Sequence, residues 1–330
     1  MVSQDFVDLI VPGLEEDHAK AEAELDNLYV YYEHPEKEKI GKSHIDHLNK
    51  IISKFPKGIK VGVEFNFIPL EMADYLKKYG FTLMNIGNKI IEMRSIKDDY
   101  ELNILINAGK LVSLGVKESL KHAVEGISEI EFDRIGHKII YETVDREHPN
   151  SSIDVFGMTV SGTSRSLMPH LFSSTRKFKK GDVVIHSRQV GLNGYLAECE
   201  RTFFIAQPTS KLKDIFKVVV EAQRAALDFI KPGIPAKEVD IIARTIIQKA
   251  GYGNYAIHRI GHGIGLGGHE LPYLRYDNDL ILKEGMAFCI EPGVYIPGVG
   301  GFRHSDTVIL MKNGSNLITD YPRNLVDLIF

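Results

Sequence analysis

The stretch His258-Arg259-Ile260-Gly261-His262-Gly263-Ile264-Gly265-Leu266-Gly267-Gly268-His269-Glu270 sets three histidines among five glycines. It lacks the lysine and the Ser/Thr that a phosphate loop requires, so the glycines are read as allowing close backbone approach. Outward on the C-terminal side, Gly285-Met286 leads to Glu291-Pro292-Gly293, and then to Gly301-Phe302-Arg303-His304-Ser305-Asp306. On the N-terminal side stand Met168-Pro169-His170 and a strand pair running from Gly181 to Phe204, with Ser187, Glu198 and Glu200 on it. Alternate residues of a strand share a face. Glu198 and Glu200 are therefore expected to point together, with Cys199 turned away; Cys289 is likewise expected to turn away and pack.

Further out, the pattern becomes helical. From Asp98 to Val124, apolar residues at 105, 108, 112, 116, 120 and 123 recur at three- and four-residue steps, and Gly126 ends the run. Ser128 with Glu131 forms a capping-box signature for a second helix. The same order returns near residue 215: an apolar stripe stops at Pro232-Gly233, and Pro235 opens another helix. Gly126–Ile140 laid over Gly233–Ile247 is identical at seven of fifteen positions. This predicts an internal duplication of helix–helix–sheet units with a site between the halves.

The first 95 residues read as a small α/β domain, with helices over Glu15–Leu28 and Ser43–Phe55 and strands at Lys60–Glu64 and Thr82–Ile86. Residues 96–330 read as the larger, site-bearing domain. The chain is 44% hydrophobic and 25% charged, with net charge −4 and pI near 6.4, which gives no basic footprint for nucleic acid. No apolar run reaches the ~18 residues of a membrane span, and no leader pattern opens the sequence. Two cysteines are too few for a disulfide framework, so the expected setting is the cytoplasm.

The motifs around His262, Glu291 and Arg303, with the approach Glu92-Met93-Arg94-Ser95-Ile96-Lys97, resemble the pita-bread peptidase family of Xaa-Pro dipeptidase, aminopeptidase P and creatinase. The resemblance runs from about Lys60 to Arg303. It implies an α+β fold, with a pita-bread domain carrying an αα-β duplication behind a small creatinase-type N-terminal domain, and it implies a homodimer. In the family's metallopeptidases two metals are held by Asp, Asp, His, Glu and Glu. Carried over position by position, these fall on Ser187, Glu198, His262, Glu291 and Ser305. A neutral hydroxyl is a poor substitute for a carboxylate on a hard cation, so the dinuclear site is lost.

Three readings follow from this departure. Three carboxylates sharing a cavity require a counter-charge. In the leading reading that charge belongs to a cationic substrate: Glu200-Arg201-Thr202 resembles creatinase, and no cofactor is expected. His170 would act as base, while Glu200 and Glu291 grip a guanidino or amidino group as a C–N bond is hydrolysed without metal. His258, His262, His269 and Arg303 would serve substrate binding, His186 and His304 are read as structural, and the plainer reading of Glu200 is an ion pair with Arg201 or Arg303. The alternative is an Xaa-Pro peptidase acting on short peptides, with one Mn, Co, Fe or Zn ion at Glu198, His262 and Glu291. The third reading is a non-catalytic binding module.

Overall fold

The computed structural model describes residues 1–34, 36 and 41–330. The chain divides into two compact units, Met1–Asn88 and Lys89–Phe330. In the first, β1 (Asp8–Pro12), α1 (Glu16–Glu22) and β2 (Asn27–Tyr31) form a parallel pair with its connecting helix. After α2 (His44–Ile52), the elements β3 (Lys60–Val63), α3 (Leu70–Tyr79) and β4 (Thr82–Asn85) repeat that arrangement. Leu48, Ile52, Leu76 and Phe81 are the buried centre of this unit. The helix expected over Glu15–Leu28 stops at Glu22, because Leu28-Tyr29-Val30-Tyr31 is β-favouring sequence and pairs with β1.

After α4 (Gly87–Ser95) come α5 (Asp99–Leu120) and α6 (Glu129–Glu147). The expected box closes α6: Ser128 Oγ accepts from Glu131 N at 3.2 Å, and the Glu131 carboxylate accepts from Ser128 N at 3.0 Å. Then follow β5 (Ile153–Ser161), the single turn α7 (Gly162–Arg165), and the hairpin of β6 (Val183–Leu192) and β7 (Tyr195–Phe204). Asn193 and Gly194, at φ 47° and 86°, make its two-residue turn. The second half consists of α8 (Ser210–Phe229), α9 (Ala236–Lys249), β8 (Gly261–Gly263), β9 (Glu270–Leu274), β10 (Ala287–Ile290), β11 (Gly293–Ile296), β12 (Gly300–Arg303), β13 (Ser305–Met311) and β14 (Gly314–Leu317).

One antiparallel sheet runs in the order β5-β6-β7-β13-β10-β8-β9, with β14 on β13. The helices pack on its outer side around Leu105, Val116, Phe132, Phe203, Val219 and Phe288, leaving the curled inner side for the site. The fold is α+β and pita-bread. The duplication is visible in the backbone. Gly126 and Gly233 share φ near +90° (94° and 91°), donating to Phe178 O and Leu282 O respectively. Ser128 bridges Lys177 as Pro235 bridges Ile281. Among the described residues, no helix is long and apolar enough to cross a membrane.

Candidate active site

Strand register assembles the site in two rows on the inner side of the sheet. Gln189 faces Glu198 across β6 and β7, Glu198 exchanges backbone–hydroxyl hydrogen bonds with Thr307 on β13, Thr307 faces Cys289 on β10, and Cys289 faces His262 on β8. The neighbouring row runs Ser187, Glu200, Ser305. Cross-strand partners lie side by side on one face. The expectation that Cys289 turns away therefore fails: it lies two residues before Glu291 and shares its face. Cys199 does point outward, beside the buried pair of Arg201 and Asp306 (3.0 Å).

The glycine run does bring backbones together. A Cβ on Gly261 would fall 2.2 Å from Cys289 O, and one on Gly265 would crowd Glu270 and Lys97. Glu270 in turn holds Arg94, with Lys97 Nζ at 3.6 Å, which ties the approach segment to the start of β9.

Each acid has a different partner. Glu198 accepts from Ser305 Oγ at 2.7 Å and from Gln189 Nε2 at 2.7 Å. Burial opposes its charge, but the nearby His262 and these hydrogen bonds hold its carboxyl below the ordinary value. Glu200 is gripped in bidentate fashion by Arg303, Nε at 2.5 Å and Nη2 at 2.7 Å, with both side chains almost fully buried. Burial pushes the Glu200 carboxyl up to about 7 against the pull of Arg303. Among the described residues Glu291 has no arginine or lysine in an ion pair with it, only His262 at 3.3 Å. Burial, with Glu198 and Glu200 adding repulsion, drives its carboxyl well above the usual range.

The histidines separate by what their nitrogens meet. His262 Nδ1 donates to Gly263 O at 3.0 Å, which leaves Nε2 as the lone-pair nitrogen. That Nε2 is fully buried without a hydrogen bond and lies 3.3 Å from Glu291 Oε1. His258 is engaged at both ends: Nδ1 donates to Arg259 O at 2.7 Å, and Nε2 accepts from Tyr295 O–H at 2.9 Å. Tyr295 accepts in turn from Arg303 Nη1 at 3.2 Å. Burial takes His258 down to about 4, so it is neutral near pH 7. His170 and His269 are exposed at the mouth, with ring centres 6.1 Å apart, and the His269 ring lies tilted at 41° against that of His262, centres 4.2 Å apart.

His186 and His304 lie on the outer side. His186 packs edge-on to Phe132 and bonds Thr159 at 2.8 Å, and His304 meets Phe216 edge-on. Two adjoining lobes of about 380 and 410 Å³ share His170, His269, Glu291 and Arg303. The first lobe adds Met168, Pro169, Leu171, Ile257 and Arg259; the second adds the acids with Phe156 and Phe172. Gln189, Cys289, Tyr295 and Arg259 are site residues that sequence reasoning missed. Strand parity could have found Cys289 and Gln189; Tyr295 and Arg259 carried no signal beyond their nearness to motif positions.

Donor atoms of Glu198, His262 and Cys289 lie within 4.8 Å of one another, as do those of His262, His269 and Glu291 and those of Glu198, Glu200 and Glu291. Each of the three groups includes Glu198 or His262, and His262 Nε2 is left without a hydrogen-bond partner. These groups fit one divalent ion, whereas the row of Ser187 and Ser305 offers a second ion two hydroxyls and a carboxylate, Glu200, already taken by Arg303.

The profile of metallopeptidase family M24 matches residues 103–312. The Xaa-Pro dipeptidase of Pyrococcus horikoshii is 34% identical over 331 residues, spanning 99% of this chain and 87% of that protein. The Xaa-Pro dipeptidase of Pyrococcus furiosus is 36% identical over 243 residues, covering 73% of this chain and 68% of its own. Among solved structures, the Xaa-Pro dipeptidase from Bacillus anthracis superposes with a TM-score of 0.86 at 29% identity, covering 100% of this chain and 88% of that one.

These findings overturn the leading expectation of creatinase-like, metal-independent hydrolysis of a guanidino or amidino substrate, and with it the expectation of no cofactor. The matching family is one of metallopeptidases, and the relatives are dipeptidases. The physical reason for the misreading is that Glu200, expected to grip a substrate guanidinium, already holds one from within the chain, that of Arg303.

Proposed function

The chain belongs to metallopeptidase family M24, and from that premise we propose that it is an Xaa-Pro dipeptidase-type peptidase, cleaving short peptides with one divalent ion held by Glu198, His262 and Glu291. The observation that carries this reading is His262 Nε2, a buried lone pair without a hydrogen-bond partner, set 3.3 Å from a carboxylate. Charge supports it as well. Arg303 offsets one of the three carboxylates at the cavity, Glu200, and the charge left on the other two needs a cation or protons. When bound, the ion supplies Lewis acidity toward the scissile carbonyl and toward water.

The chain's own groups do the rest. Arg303 neutralises Glu200 and is braced by Tyr295 and His258, so these three are positioning residues. His170 and His269 stand at the mouth. Partial desolvation and nearby arginines hold both His170 and His269 below the ordinary value. Both are thus neutral near pH 7 and able to accept or donate a proton beside a bound peptide. The apolar lobe of Met168, Pro169, Leu171 and Ile257 suits a prolyl ring. Arg259, whose guanidinium lies 4.2 Å over the Tyr273 ring, supplies a cation for a terminal carboxylate. A cytoplasmic homodimer completes the reading; two buried free cysteines support the compartment.

The test is metal content and Xaa-Pro dipeptide hydrolysis after loading the chelator-stripped protein with Mn, Co or Zn. One ion per chain is expected, with turnover lost on stripping and in Glu198→Gln. Turnover that survives stripping, or no ion bound from any of the three metals, would overturn the proposal.

A further inference from the structure

The row that carries Glu198 and His262 carries one more donor. Cys289 sits directly across from His262 on the paired strands β8 and β10. Its sulfur lies with a Glu198 oxygen and a His262 nitrogen in a group whose atoms are all within 4.8 Å of one another. The thiol is completely buried, and among the described residues its hydrogen-bond contact is to Thr307 Oγ1 at 3.7 Å, a weak one. Thr307 itself is occupied by the Glu198 backbone, so it does not account for a thiol at this place. The unpartnered, fully buried His262 Nε2 is independent evidence that something is to be bound here.

We propose that Cys289 is a ligand of the bound ion, forming with Glu198 and His262 a thiolate-containing site that prefers zinc to manganese. The inference rests on the single-metal reading above and specifies its chemistry. On binding, the thiol S–H gives its proton to solvent and the sulfur lone pair forms the bond to the ion, with no change of oxidation state. Thiolate and imidazole favour zinc, whereas manganese favours a set made of oxygens. The two serines on the neighbouring row and the one thiolate on this row push in the same direction, away from a hard dinuclear centre.

The experiment titrates the metal-free full chain with cobalt(II) and reads the thiolate-to-cobalt charge-transfer absorption in the near ultraviolet, in the natural protein, Cys289→Ser and Cys199→Ser. The band is expected in the natural protein and in Cys199→Ser. It is expected to be absent from Cys289→Ser, which still binds one ion. A zinc–manganese competition should show the zinc preference of Cys289→Ser reduced by more than the ~10–100-fold typical of losing a partner one shell further out. One bound cobalt without the band in the natural protein, or a band that persists in Cys289→Ser, would overturn the ligand role and leave the single-metal reading standing. No cobalt bound at all would overturn both. If Cys289→Ser fails to fold, the other two spectra decide, because they differ only in the sulfur that remains available.

Discussion

The two halves of the sheet domain run in step, and the step ends on different chemistry. Phe178-Lys179-Lys180-Gly181 opens the first inner strand, and Leu282-Lys283-Glu284-Gly285 opens its counterpart, with the glycines at φ 88° and 81°. Six residues after each glycine the chain reaches the cavity. In the first half that residue is Ser187, and in the second it is Glu291. One position earlier, on the outer side, stand His186 and Ile290, both fully buried. Duplication supplied two equivalent backbone addresses. The side chain at each decides whether a cation can be held there: a hydroxyl beside Glu200 in one half, a carboxylate facing His262 in the other.

The comparison can be broken by making the halves alike. Glu291→Ser should lower zinc affinity by more than ~100-fold, about 3 kcal/mol, measured by chelator competition; an unchanged affinity would mean that this position does not separate the halves.

The histidine next door offers a second contrast. Burial, with Arg188 and His137 contributing, holds His186 down at about 4 despite Asp133. Between pH 6.5 and about 4 the unfolded chain binds more protons there than the native one. His186 therefore contributes stability above pH 6.5 that is lost as pH falls through that window, on the order of 3 kcal/mol at most. Urea unfolding across this range should show a shallower loss in His186→Gln than in the natural protein; identical profiles would count against it.

Making the first half anionic sharpens the same point from the other side. Ser187→Asp with Ser305→Glu should raise the bound metal from one ion to two, and lower the stability of the ion-free form by about 2 kcal/mol through added like charge. Metal analysis and calorimetry check the two parts separately. The smallest effect has the opposite sign. The Glu291 carboxyl is held above its ordinary value, so it favours the fold below its unfolded value of 4.5, and that contribution is lost as pH rises through its native value. Glu291→Gln should therefore stabilise the ion-free protein near neutral pH by about 1 kcal/mol, read as a small rise in Tm while metal affinity falls.

The long helices were legible because their signals are local. Three- and four-residue apolar spacing and the Ser128–Glu131 box lie within one or two turns, and Gly126 and Gly233 mark the ends. The N-terminal unit was less legible. Glu15–Leu28 is rich in helix-favouring residues as far as Glu24, and only pairing of Asn27–Tyr31 with Asp8–Pro12 makes its end a strand. In the site, His262, Glu198 and Glu291 were marked by motif and strand parity. Parity also applied to Cys289, which stands two residues before Glu291, and counting it correctly would have placed the thiol inside. Glu200 was read first as a hand for substrate and second as a partner of Arg201 or Arg303, and nothing local to residues 200 and 303 decides between the two.

The sequence by itself determined the family, the duplication and the absence of carboxylates at 187 and 305, since these are matters of residue identity and spacing. Only the tertiary structure decided which of three acids is already neutralised and which is left for a cation. Arg303 reaches Glu200 because β12 and β13 turn back beside β7, a hundred residues along the chain. His262, Cys289, Thr307 and Glu198 become neighbours through the register of four strands. Coulomb energies and metal–ligand bonds depend on distances of a few ångströms, and distances between segments so far apart in sequence are set by strand pairing.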